Sequence, residues 1–309
     1  MLSRPSRAPT AWVAEADGRI VGTYCGTPIG LRLCGTSTEG IHGSHAMTAP
    51  EYRRQGILTR LASAAQAGWS EAGYRLQIGV PWGTWGSRRA ALGWLPVTQL
   101  VWLDRWLAPE RALARRLRVP TALTERLHLW RWLRPSPPPA GDVQVRELAR
   151  AEPALDCLWS RLAPAWEHAV VREAAWLDWR YLQAPAADYR ILLAERGPEP
   201  VGYLALRIQR QPGGGVRGWI VDLLAAPGDA AARRSLLAAA LSRFETGGVE
   251  RAAALVPADS GWRQELAEAG FVGGQGGDFA VVPLDPTLPV ESVLRADRWL
   301  VMGGDFDVV

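Results

Sequence analysis

Lysine is missing altogether: all 35 basic residues of the 309-residue chain are arginine. Cysteine is scarce, at three (Cys25, Cys34 and Cys157). An odd count without CxxC spacing argues against a disulfide framework and a cysteine zinc site. No apolar run approaches the ~18–20 residues of a membrane-spanning helix. Arg4 and Arg7 near the start are not followed by an apolar core, which argues against a secretory signal. The expectation is a soluble, cytoplasmic chain. GxxxxGK[ST] does not occur and the stretch Thr48–Leu61 holds no GxGxxG, so neither a P-loop nor a Rossmann turn is read there, and the Gly213–Gly215 run reads as a hairpin loop rather than a phosphate cradle.

What is present is ordinary globular composition, with 48% hydrophobic and 21% charged residues. The length suggests about two domains at roughly 150 residues each. A net charge of +4 and a pI near 9.3 hint at nucleic acid. The hint is weak, because 31 acidic residues are spread along the chain and arginine alone keeps the pI high.

The chain reads as two copies of one pattern. The Pro-rich stretch Arg134–Pro139 can neither continue a helix nor join a sheet, and marks a linker. Before it, Glu110–Leu133 reads as helical and broken near Pro120. After it, Val143–Leu148 alternates as a strand does. Gly22 faces Gly202 at an offset of 180, Pro50 faces Pro227 at 177, and Gly93-Trp94 faces Gly270-Phe271 at 177. The order is constant and the drift small. The expected domains are 1–107 and 142–309, joined by a helical and Pro-rich linker over 108–141. Ahead of its first matched strand, copy two carries an opening strand and helical stretches at Pro153–Leu162 and Arg172–Gln183. Copy one has few residues before Trp12, so its opening strand and helices are expected to be absent, supplied elsewhere, or lost to a misplaced start.

Chemistry concentrates between Thr48 and Leu61. A strand over Gly40–Thr48 turns through Ala49–Tyr52 into an amphipathic helix that opens at Arg53–Leu58. The free N–H groups and dipole at such a helix start bind anions. Gly56 permits close backbone approach, and Arg53, Arg54 and Arg60 add charge suited to phosphates. A plain helix N-terminus with chance arginines is the bland alternative.

Pro50-Glu51-Tyr52-Arg53-Arg54-Gln55-Gly56-Ile57-Leu58 resembles the acetyl-CoA motif of the GNAT superfamily of N-acetyltransferases, [RQ]-x-x-G-x-[GA]. Arg53 and Gly56 fill its first two fixed positions, and Leu58 stands where Gly or Ala is usual. The superfamily's order recurs over about Trp12–Leu107, with a hairpin at Gly18–Gly22, a strand at Leu76–Val80 and the Leu92-Gly93-Trp94 helix end. The resemblance implies an α/β fold with a mixed α+β sheet. Each of the two GNAT-like domains would hold a centrally splayed sheet flanked by helices.

It also implies acetyl-CoA as cosubstrate, with no metal. The pantetheine would pair with the backbone of Ala46, Met47 and Thr48, and the pyrophosphate would lie on the loop of Arg53, Arg54, Gln55, Gly56, Ile57 and Leu58. An amine would attack the thioester directly, with a donor near Met47 for its oxygen. Candidate bases on the preceding strand are His45, His42 and Glu39. In a regular strand the two histidines, three positions apart, face opposite sides. Where the family often carries a Tyr acid this chain has Arg89, and Trp82 replaces a frequent Asn. That leaves bound water, or no acid, for the thiolate.

Copy two reads Pro227-Gly228-Asp229-Ala230-Ala231-Ala232 at the motif position. Asp229 is a good N-cap but would repel a pyrophosphate, so this half is read as a degenerate copy. The expected activity is acyl transfer from coenzyme A to a small-molecule primary amine. A protein amine and a non-catalytic coenzyme A-binding or interaction module stay open as alternatives. A homodimer is compatible, and neither nucleic acid nor membrane is called for. Cys25 and Cys34 are read as small core residues.

Overall fold

The structure, a computed structural model, describes residues 8–82, 89–129, 136–185 and 187–306. Arg4, Arg7, part of the helix before Leu92, and residues 130–135 of the expected linker lie outside that range. The chain divides into two compact units, each discontinuous in sequence. The first holds Met1–Gln99, Trp166–Val171 and Gly277–Leu300, and the second holds the rest. The expected ranges 1–107, 108–141 and 142–309 are contiguous; the observed units interleave.

The first unit opens with β1 (Thr10–Ala16), β2 (Arg19–Leu33) and β3 (Thr36–Thr48). Asp17-Gly18 joins β1 to β2 with both residues at positive φ, as a two-residue hairpin requires. Cys34-Gly35 does the same between β2 and β3. This places Cys34 at an exposed turn rather than in the core, while Cys25 is half-buried. Helix α1 (Ile57–Glu71), β4 (Leu76–Gly79) and the first half of β5 (Leu95–Trp106) follow.

Three later strands complete this sheet: β7 (His168–Val170), β13 (Asp278–Pro283) and β14 (Trp299–Leu300). The order is β14-β7-β2-β3-β4-β13-β5, with β1 on the edge of β2. Strand β13 pairs antiparallel with β4 and β5 alike, standing between them. Helix α1 buries Ile57, Leu61, Ala62, Ala65 and Trp69 against Val21, Tyr24 and Ile41. That stripe has the 3–4-residue spacing of one helical face.

The second unit takes the second half of β5, then α2 (Pro109–Leu117) and α3 (Thr121–Glu125). Pro120 separates the two helices as the cap of α3. Then come β6 (Gln144–Leu148), α4 (Pro153–Leu162) and α5 (Ala174–Leu177), which passes into a π-turn at Asp178–Leu182. The remaining elements are β8 (Tyr189–Arg196), β9 (Glu199–Arg210), β10 (Val216–Ala225), α6 (Ala230–Thr246), β11 (Arg251–Pro257), α7 (Gly261–Glu268) and β12 (Val272–Gly273). Its strand order is β5-β11-β10-β9-β8-β6, with β12 beside β5. The core packs Leu236, Ala240 and Phe244 of α6 on Leu204, Ile220 and Ala254 of the sheet. Among the described residues no helix is long and apolar enough to cross a membrane.

In the first unit, His168 of β7 is buried. Its Nδ1 accepts the Cys34 N–H at 3.2 Å, and its Nε2–H donates to the Ser292 carbonyl at 3.2 Å. Both bonds are kept only by the neutral ring. Burial lowers its pKa below the ordinary histidine value. The unfolded chain therefore takes up the proton first, and the stabilisation, complete above the ordinary value, is lost as pH falls through the depressed one. Thermal midpoints measured between pH 7.5 and 5 should fall with acidification. The His168→Phe variant should lose that component of the slope, at a cost of about 1–3 kcal/mol for each backbone group left unpaired.

Candidate functional site

The site is set by where two parallel strands part. Strands β3 and β4 pair at Ile41↔Gln77 and His42↔Ile78. Strand β4 ends at Gly79, while β3 runs on to Thr48. At the point of divergence, a Cβ on Gly43 would stand 2.5 Å from Gln77 Nε2 and 2.7 Å from Tyr24 Oη. A side chain there would have to displace the Gln77 amide and the Tyr24 hydroxyl.

Beyond the divergence β3 carries a bulge. Ser44 pairs with Cys25 and Met47 with Thr23, so two residues of β3 oppose the single Tyr24 of β2. His45 lies in the bulge at φ +49, its carbonyl accepting from Thr23 Oγ1 at 3.0 Å. Its ring Nδ1 is 2.9 Å from Ser44 Oγ. The strand is therefore not regular between His42 and His45, and the alternation expected of a regular strand does not hold there.

After Thr48 a 3₁₀ turn at Pro50–Tyr52 leads into a left-handed residue at Arg54 (φ +66) and another at Gly56 (φ +75). Gly56 is the N-cap of α1, and no side chain caps the first turn. Such first-turn N–H groups have no intrahelical partner, and they carry the positive end of the helix dipole. No acidic residue occupies the turn. Arg53 reaches back to donate from Nε to the Thr48 carbonyl at 3.2 Å, tying the loop to the strand.

A cavity of about 930 Å³ lies here, within the first unit. Ala46, Met47, Thr48, Arg53, Arg54, Gly56, Ile57 and Leu58 line it, as does Gly22 of β2. The hydroxyl Oγ1 of Thr48 is buried without a hydrogen-bond partner. Of the sequence-derived residues, Gln55 is exposed and does not line the cavity; its side chain returns to the Glu51 carbonyl at 3.5 Å. The three candidate bases do not line it either. His42 is buried, His45 exposed and Glu39 half-buried on β3. Arg89 is ion-paired with Asp278. Among the described residues no group of His, Cys, Asp or Glu is arranged to hold a metal.

Sequence reasoning missed the wall contributed by β2, Ile20 to Thr23, and Leu92 opposite. Gly22 reaches the cavity because it pairs with Thr48, a register fixed by the hairpin and bulge together. A Cβ there would stand 2.9 Å from Ile57 Cγ2. The Gly-x-x-x-Gly spacing of the hairpin was the available signal, without the pairing to interpret it.

The second unit also carries two parallel strands joined through a helix, α6. Strands β10 and β11 are parallel up to Ile220↔Ala254, and β10 is irregular between Ile220 and Asp222. The first turn of α6, however, is already satisfied. Asp229 caps it by accepting from Ala232 N at 3.0 Å. Arg196 holds that carboxylate with two bonds of 3.1 Å and, with the cap, keeps its pKa below the ordinary range.

A mixed α/β sheet flanked by helices is a GNAT-like fold. Residues 4–93 match the acetyltransferase (GNAT) domain family. Among solved structures the chain is similar to the GCN5-related N-acetyltransferase of Anabaena variabilis, at 13% identity and TM-score 0.62. That match covers 88% of this chain and 62% of the other, so the chain spans less than two thirds of that protein. It is similar to Saccharomyces cerevisiae N-myristoyltransferase with bound myristoyl-CoA, at 11% identity and TM-score 0.62 over 86% and 67% of the two chains. It is also similar to Eis1 of Mycobacterium abscessus, at 19% identity and TM-score 0.55 over 92% and 67%. No curated protein sequence matches the chain.

Replacing the cap of α6 tests the contrast between the units. Asp229→Ala should lower stability by about 1 kcal/mol, the usual cost of a lost N-cap, read as a lower urea midpoint at unchanged m-value.

Proposed function

We propose that the chain is an acyl-CoA-dependent N-acyltransferase whose first unit binds the cosubstrate and transfers acetyl to a small-molecule primary amine. The observation that carries this is the cavity where the end of β3 meets the uncapped start of α1. Its residues suit the donor. The backbone of Ala46, Met47 and Thr48 has left β4 and can pair with an extended amide-bearing arm. The amides at Gly56–Leu58 and the charge of Arg53 and Arg54 suit a pyrophosphate.

Coenzyme A supplies an activated thioester, so the protein's task is orientation, charge stabilisation and proton transfer. The amine nitrogen forms a bond to the thioester carbon while the carbon–sulfur bond breaks. A backbone N–H near Met47 is the proposed donor to the oxygen on which charge develops. The amine's proton leaves to one of His45, His42 or Glu39. His45, at a bulge beside Ser44, stands nearest the cavity wall in sequence. With Arg89 engaged by Asp278, the thiolate takes its proton from water.

The second unit is proposed as a degenerate copy of the same fold, its helix start closed by Asp229 and Arg196. One observation favours a second reading, a coenzyme A-binding module without turnover: the candidate bases do not line the cavity.

Titration calorimetry with acetyl-CoA should give one site per chain. Arg53→Glu should weaken it at least ~10-fold, since the change reverses a charge at the phosphate position, and Gly56→Trp should abolish it. Asp229→Ala should leave it unchanged. Thiol release over a panel of primary amines then separates the two readings. Turnover with any member supports the transferase, and binding without turnover across the panel favours the module.

A further inference from the structure

In the second unit the cleft between the parting strands holds a piece of the chain itself. Strand β10 runs five residues past its last pairing with β11, to Ala225, and β11 runs on to Pro257. Residues Val301–Phe306, with a 3₁₀ turn at Gly303–Asp305, are all buried. Gly303 touches both strands: a Cβ on it would stand 3.1 Å from Leu255 Cβ and 3.7 Å from the Val221 carbonyl oxygen. On Gly304 a Cβ would come within 2.1 Å of Tyr181 Oη, 3.1 Å of the Val221 carbonyl oxygen and 3.2 Å of Asp222 Cβ. The segment is thin because the space is thin. Two consecutive glycines pass where a side chain would not.

The segment is also fastened. Arg172, fully buried, donates from Nη2 to both oxygens of Asp305, at 2.8 and 2.9 Å. The same guanidinium bonds Asp222 Oδ1 of β10 at 3.2 Å. Asp222 is held in turn by Tyr203 Oη at 2.6 Å and the Leu223 N–H at 2.9 Å. Asp305 closes its own turn by accepting the Met302 N–H at 2.8 Å. Arg180, from the π-turn, donates to the carbonyls of Gly304 at 3.2 Å and Phe306 at 2.6 Å. A buried charge is tolerable only when paired and fully hydrogen-bonded, and here one arginine binds the strand and the segment at once.

We propose that Val301–Phe306 is a built-in occupant of the strand cleft of the second unit, locked by Arg172 between Asp222 and Asp305, and that it closes this cleft to coenzyme A. The occupant explains by steric exclusion what Asp229 explains by charge. The cleft between the strands is filled, and the helix start beneath it is capped. The seat itself is independent of the proposed function, on which only the identity of the excluded ligand rests.

Hydrogen exchange of the full-length protein, read by mass spectrometry, tests it. In the unliganded wild type, peptides over 300–306 should be protected as well as those of β10 and β11. In Gly304→Ala the added methyl meets Tyr181 Oη, and protection of 300–306 should fall at least ~10-fold, with β8 and β9 unchanged. Adding Tyr181→Phe removes the opposing oxygen and should restore much of it. Asp305→Asn should also loosen the segment. Saturating coenzyme A should leave β10 and β11 of the wild type unaltered. The proposal is overturned by fast exchange of 300–306 in the wild type, by unchanged protection in both Gly304→Ala and Asp305→Asn, or by loss spread evenly over the second unit. Protection of β10 and β11 by coenzyme A would likewise overturn the closure. Failure of coenzyme A to bind the first unit would instead count against the proposed function and leave the unliganded exchange result standing.

Discussion

Two parallel strands that stop hydrogen-bonding before they end govern the first unit. Once β3 leaves β4 after His42, its remaining backbone is no longer committed to that neighbour. Backbone N–H and C=O groups at protein depth must find partners, so the divergence either recruits a ligand or is filled. The bulge at His45, the loop through Arg54 and Gly56, and the uncapped start of α1 all follow from that parting. Each steers the chain so that polar groups converge on one cavity. The same geometry in the second unit takes the other course, where Gly303 and Gly304 lie against the parted strands.

The contrast between the helix starts shows how little sequence separates a candidate anion site from a closed one. In the first unit a glycine at φ +75 begins the helix and leaves its amides unspent. In the second an aspartate begins it, satisfies an amide and is itself neutralised by Arg196. An N-cap carboxylate both uses a donor and cancels the local positive field. Gly56 and Asp229 thus leave the starts of α1 and α6 with opposite local charge.

Local chemistry was the legible part of this chain. The Arg53–Leu58 loop could be read because a turn, a glycine and the onset of helical periodicity are neighbours in sequence. The break at Pro120, the span of α4 and the cap at Asp229 were readable for the same reason. Pairing was not legible. Nothing in the alternation of Asp278–Pro283 says that it inserts between β4 and β5, some 180–200 residues earlier in the chain. Gly22 carries no mark of its partner Thr48, and the bulge at His45 undid a face assignment that assumed regular alternation. Register is a long-range property, and a one-residue irregularity resets every side chain after it.

Strand β5 gives its first half to one sheet and its second half to the other, while β13 returns from near the end of the chain to flank β4. During synthesis the first sheet must therefore wait. Until residues 278–283 emerge, the edge of β4 presents a row of unpaired donors and acceptors, the surface on which nascent chains misassociate. The interleaving makes the whole chain, rather than either half, the smallest piece that can shield all its strands. Pairs so distant in sequence also make for slow folding.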